Sequence, residues 1–104
     1  MTIETTIAQQ ADITITIHPE DCHPRQCFDN ADDITSILES LENNPWAWCC
    51  VQVTATWNGL TATDYLGGCS YDNERGFRLC NYYLDMKRNC IADLVKQATA
   101  IRAA

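Results

Sequence analysis

Basic residues are almost missing from the first half of this chain. Residues 1–52 hold nine acids and one base, Arg25, for a net −8; residues 53–104 hold five acids and six bases, for a net +1, which together give the overall −7. An acidic half of this kind repels nucleic acid, and no basic, aromatic-studded stretch offsets it, so direct DNA or RNA binding is not expected. Long apolar runs are missing too. Nothing approaches the roughly 18 apolar residues that a membrane-crossing helix needs. The opening Met1-Thr-Ile-Glu-Thr-Thr-Ile7 lacks a basic region followed by an apolar core, so it does not read as a signal peptide, and the expected compartment is the cytoplasm. Also absent are a glycine-rich phosphate loop, a G-x-S-x-G nucleophile elbow, paired C-x-x-C knuckles, internal repeats and linkers. One domain over residues 1–104 is the expectation.

Hydrophobic residues make up 46% of the chain and charged residues 20%, the balance of a folded domain with one modest core. Cysteine is abundant, with seven at positions 22, 27, 49, 50, 69, 80 and 90. Their odd number and scattered spacing fit thiols in a reducing compartment, most of them acting as small buried hydrophobes.

Asp12-Ile-Thr-Ile-Thr-Ile-His18 alternates strictly and predicts a half-buried strand, with Ile13, Ile15 and Ile17 on one face. Residues 1–10 read either as a frayed end or as an extra edge strand. His18-Pro-Glu-Asp-Cys-His-Pro-Arg-Gln-Cys27, with its prolines and charges, reads as an exposed loop that can run to Asn30. A helix follows, because Ile34, Ile37, Leu38 and Leu41 form one apolar stripe at i, i+3, i+4 and i+7. Asp29 or Asn30 can cap it, Asp32 and Asp33 suit its positive end, and Asn43-Asn44-Pro45 ends it.

Next comes a hairpin. Trp57-Asn58-Gly59-Leu60 carries the Asn-Gly pair that a type I′ turn demands, since both central residues need positive φ. Ala47, Cys49, Val51, Val53, Ala55 and Trp57 share the expected core face; Trp48, Cys50, Gln52, Thr54 and Thr56 share the other. The turn sets Trp57 opposite Leu60, Ala55 opposite Ala62, Val51 opposite Leu66 and Tyr65 opposite Gln52. It also sets Asp64 opposite Val53 on the apolar face, which calls for either a bulge that re-aims it or a buried partner for the carboxylate; a bulge or a frayed strand end is the reading preferred. Gly67-Gly68 reads as the end of the strand, residues 72–76 as a polar turn, and Phe77 as a return to the core. The last helix is predicted from about Asn81 to Thr99, with Tyr83, Lys87, Cys90, Leu94 and Ala98, flanked by Met86, Ile91 and Ile101, as its buried side. The fold class expected is α+β: a small antiparallel or mixed sheet in the order strand-helix-strand-strand-helix, with two helices packed on one face.

Three constellations bear on chemistry. His18, Cys22, His23 and Cys27 are possible zinc ligands, set against an ordinary polar loop. Cys69 beside two glycines is a possible nucleophile, set against a packed thiol in a turn. Trp46 and Trp48, with Tyr65 nearby, suit anchors for a partner or a homodimer, unless helices cover that face and make it core. The acidic half fits either a basic partner surface or simple solubility.

Ile37-Leu-Glu-Ser-Leu41, Trp46-Ala-Trp-Cys49, Asn58-Gly-Leu60, Asp64-Tyr-Leu-Gly-Gly-Cys-Ser-Tyr71, Phe77 and Tyr82-Tyr-Leu-Asp-Met86 resemble small proteins encoded by phages and other mobile elements. The resemblance covers about residues 13–95, and its most specific part is Leu66-Gly-Gly-Cys-Ser-Tyr71. It supplies no catalytic residues. What it implies is a genomic setting in which small acidic proteins inhibit host defence, CRISPR–Cas effectors included, by occluding basic nucleic-acid-binding surfaces. The expectation is a non-enzymatic, anti-CRISPR-like inhibitor of a host protein or nucleoprotein complex, with no cofactor and no bound metal. Glu20, Asp21, Asp29, Asp32, Asp33, Glu39 and Glu42 supply charge to its partner surface, and Trp46 and Trp48 supply apolar anchors. The alternatives are a homo-oligomeric assembly protein of a mobile element acting through the tryptophans, and a small metal-binding module on the 18–27 loop.

Overall fold

Three alternating stretches pair into one sheet in the computed structural model, which describes residues 2–103. The strands β1 (Asp12–Pro19), β2 (Cys49–Trp57) and β3 (Leu60–Cys69) are antiparallel and lie in the order β1-β2-β3. Four helices accompany them: α1 (Ile3–Gln10), α2 (Ala31–Leu41), α3 (Glu74–Arg78) and α4 (Asn81–Ala103). The α+β architecture with an antiparallel sheet is as the patterning predicts. Asn58 and Gly59 take positive φ, +49° and +78°, so the Asn-Gly turn forms and sets the predicted pairs Trp57–Leu60, Ala55–Ala62, Gln52–Tyr65 and Val51–Leu66.

One sheet face is the core. Val51, Val53 and Ala55 are fully buried, and they meet Ile7 of α1, Phe77 of α3, and Met86, Cys90, Leu94 and Ala98 of α4. The α4 residues recur every fourth position, one helical stripe against a flat apolar surface. Phe77 sits among three aromatics, with ring centroids 5.9 Å from Trp46, 5.3 Å from Tyr71 and 5.8 Å from Tyr83.

Several expectations are corrected. The stretch 1–10, of which residue 1 lies outside the described residues, is neither frayed nor a strand: from Ile3 it is helical, capped by Thr2, whose hydroxyl accepts from Thr5 N–H (3.2 Å). Ile3 and Ile7 are four apart, so a helix puts both on the core, and Trp57 Nε1 donates to Gln10 Oε1 (3.1 Å) to pin the helix end. Two helices do cover the face, but they are α1 and α4; α2 buries none of its residues and sits against the 3-10 turns Pro24–Gln26 and Pro45–Ala47. Residues 72–76 are not all turn, because Asn73 caps α3 through Gly76 N–H (2.9 Å). Asp64 keeps its register opposite Val53, with no bulge there; it lies at the sheet margin, where its carboxylate accepts from Asn89 Nδ2 (3.3 Å) and Tyr65 N–H (3.0 Å). The irregularity falls instead at Gly67-Gly68, which carry β3 on to Cys69 rather than ending it.

Helix α4 also runs past its predicted end. Gln97 Nε2 donates to Thr61 O (3.0 Å) beside the hairpin turn, so the turns beyond it clear the sheet, and Ile101 is 62% exposed rather than buried. Leu94→Ala should therefore cost about 2–5 kcal/mol, whereas Ile101→Ala should stay within about 0.5 kcal/mol. Urea unfolding followed by circular dichroism measures both, and equal losses would contradict this placement.

Candidate functional site

The acidic residues cluster on the chain between β1 and β2, and a tryptophan holds that chain in place. Trp48 immediately precedes β2, next to Cys49 of the core, and is itself outside the core cluster, which puts its side chain on the sheet face away from α1 and α4. At this end, however, that face is covered. Trp48 is only 4% exposed: its Nε1 donates to Cys22 O (2.6 Å), Phe28 meets its ring edge-on at 5.9 Å, and Gly68 lies under its outer edge. The indole donor of a buried tryptophan needs a partner, and the loop backbone supplies one. Trp46, by contrast, is half-buried, packed on Phe77. Trp48 is therefore not an exposed anchor, and Trp46 is only partly exposed.

A carboxylate makes the second tie. Glu20 accepts from Gly68 N–H (2.6 Å) and Cys22 N–H (3.2 Å), joining the loop to the far strand β3. Gly68 adopts φ +64°, and a Cβ on Gly67 would come within 2.8 Å of the Glu20 carboxylate, so both glycines serve this approach. These backbone donors hold the Glu20 carboxyl below its ordinary value of 4.5. At the other end of the segment, Asn44 Nδ2 donates to the carbonyls of Tyr71 (3.3 Å) and Asp72 (3.0 Å), while its Oδ1 accepts from Trp46 N–H (3.1 Å).

Between these ties stands α2. Asn30 caps it, accepting from Asp32 N–H (2.8 Å) and Asp33 N–H (3.2 Å). At 100° per residue, Asp32 and Glu39 point directly away from the apolar stripe, and Asp33 and Glu42 border it. Asp21, Asp29, Asp32, Asp33, Glu39 and Glu42 are all exposed; Glu20, half-buried in its latch, is the one that does not offer a free carboxylate. Among the described residues the one ion pair is Arg78–Glu74 (3.1 Å), so none of the seven acids is neutralised by a base. Glu39 and Glu42 also sit at the negative end of the α2 dipole, which has no basic residue in its last turn; each costs about 0.3–1 kcal/mol there.

The remaining candidates are dispersed. His18 Nε2 donates to Gln52 Oε1 (2.5 Å) on the open sheet face, and His23 Nδ1 accepts from Arg25 N–H (3.2 Å). Among the described residues no three His, Cys, Asp or Glu side chains converge as metal ligands. Cys69 is 4% exposed, and burial pushes its thiol up to about 12, the opposite of what a nucleophile requires. The open sheet face, with Thr14, Thr16, Thr54 and Thr63 around Tyr65, reads as a solvated antiparallel surface.

Sequence reasoning missed the groove of about 270 Å³ beside α2, lined by Ile17, His18, Pro19, Glu20, Leu41, Pro45 and Trp48. The stripe on α2 was the available signal, but its periodicity does not say that nothing covers it. No helix among the described residues is long and apolar enough to cross a membrane. No protein family, curated protein or solved structure matches this chain.

The latch carries a pH dependence. Because the folded-state pKa of Glu20 is depressed, its contribution is present above the unfolded value and is lost as pH falls through the folded one. Glu20→Gln should therefore lower the melting temperature at pH 7, and the gap from the parent should close as pH drops below about 4. Thermal melts of both proteins across pH 3–7 measure this; a gap that persists unchanged at the acid end would contradict the latch.

Proposed function

We propose that this chain is a non-enzymatic inhibitor that binds a basic surface on a host nucleoprotein complex and keeps nucleic acid off it, in the manner of anti-CRISPR proteins. The observation that carries this reading is the set of unpaired carboxylates on and around α2, held on a folded segment rather than a tail. Charge needed only for solubility works anywhere on a surface. Here it accumulates over residues 20–42, seven acids against Arg25 alone, including two at the helix end where carboxylates are unfavourable. Carboxylates spaced along a rigid helix can occupy the Lys and Arg side chains that otherwise meet phosphates, and phosphate contacts dominate nucleic-acid affinity. The setting that goes with this reading is the cytoplasm of an infected host cell, as the sequence resemblance to small phage and mobile-element proteins implies.

Inhibition of this kind needs no bond-breaking. The partner's Lys and Arg draw the acidic end in by long-range attraction, which raises the association rate and makes it salt-sensitive. Asp21, Asp29, Asp32, Asp33, Glu39 and Glu42, all exposed, together make the contact. Glu20 contributes by holding the segment in place.

Combined Asp32→Lys, Asp33→Lys and Glu39→Lys should reduce inhibition of CRISPR–Cas interference by at least about tenfold in a phage-plaquing assay, with the fold retained by circular dichroism. Full protection of phage by the folded triple variant would contradict the proposal.

A further inference from the structure

Helix α2 is amphipathic, yet its apolar side is left open. Ile34 and Ile37 are half-buried, while Leu38 and Leu41 are 38% and 36% exposed, and Phe28 nearby is 36% exposed. A surface helix of a finished fold turns such a stripe into the core. Leu41 instead helps line the 270 Å³ groove, together with Ile17, His18 and Pro19 at the end of β1, Glu20, Pro45 and Trp48. That volume is below the usual range for a small-molecule pocket, about 300–1,000 Å³, and fits one or two side chains of a partner.

Charge decides what kind of partner. Glu20 lines the groove, Asp21 and Glu42 directly follow its lining residues Glu20 and Leu41 in the chain, and residues 20–42 carry net −6 from seven acids and Arg25. A second copy of the chain would press two such surfaces together, and like charges facing one another across an interface cost several kcal/mol. A neutral apolar segment would leave the flanking carboxylates desolvated and unpaired. A segment with an apolar side chain flanked by Lys or Arg satisfies both features at once.

We propose that the groove between α2 and β1 is a docking site for a basic, apolar-anchored segment of the partner, an amphipathic stretch whose leucine-like residue enters beside Leu41 and Trp48 while its bases meet Asp21 and Glu42. This rests on the inhibitor reading and sharpens it: the surface recognised is basic and also carries an apolar protrusion. Electrostatics alone would make every cationic surface equivalent; the anchor discriminates among them.

Two synthetic peptides of equal length and equal positive charge test it, one alternating lysine with leucine pairs and one combining lysine with serine. Binding is followed by nitrogen–proton NMR of the intact chain. The leucine-containing peptide should bind at least about tenfold tighter, move the Trp48 indole N–H signal and the Leu41 amide, and lose that advantage in Leu41→Gln. Lysine–serine binding should be unchanged by that substitution. Equal affinity for the two peptides, or a preference that survives Leu41→Gln, overturns the groove while leaving the acidic surface standing. Binding of neither peptide overturns both.

Discussion

The placement of Trp48 governs how this molecule presents its charge. A three-stranded sheet with one face under α1 and α4 would leave the tryptophan's face in water, where a large indole is costly. The chain between β1 and β2 returns over it instead, giving its Cys22 carbonyl to the indole N–H and Phe28 to its edge. Losing a buried aromatic of this size typically costs about 3–5 kcal/mol, a large share of a domain's 5–15 kcal/mol. A segment rich in acids and poor in buried residues stays folded because it covers this one side chain.

Two lesser restraints complete the arrangement. Glu20 reaches across to Gly68, and Asn44 ties the segment's exit to Tyr71 and Asp72, so the loop is fixed at both ends to the β3 end of the molecule. The restraints use backbone donors and acceptors, which leaves the carboxylates of α2 uncommitted. Energy for folding comes from the sheet and α4; charge for recognition sits on a separate element whose own apolar stripe is half used. That division explains how an acidic helix with unfavourable C-terminal carboxylates can persist: its cost is charged to a core elsewhere.

Local patterns were legible where one physical rule acted alone. Asn58-Gly59 set the hairpin and its pairs, four-residue spacing set α4, and Asn30 with Pro45 bounded α2. Reading failed where two rules competed. Ile3 and Ile7 lie in a threonine-rich stretch that suggests extended chain, but capping by Thr2 and burial of Ile7 favour a helix. At Asp64 a bulge and a partner for the carboxylate compete, and the edge strand decides for the partner by letting the carboxylate reach Asn89. At Trp48 alternation leaves an exposed anchor and a covered side chain both open, because it tells which side a residue takes and not what later covers it. The acidic residues were visible from composition; that they share a fixed surface, and that Glu20 is spent on a latch, required the tertiary structure.

Whether the acidic segment is a fixed surface or a loose tail is measured most directly by hydrogen exchange at the Trp48 indole N–H, against the amides of β2 as reference. Docking predicts that the indole proton exchanges far more slowly than a free tryptophan's, together with the Gly68 amide that Glu20 holds. An indole exchanging as fast as free tryptophan, while the Val51 and Val53 amides remain protected, would show that the segment does not rest on Trp48 and would contradict the account.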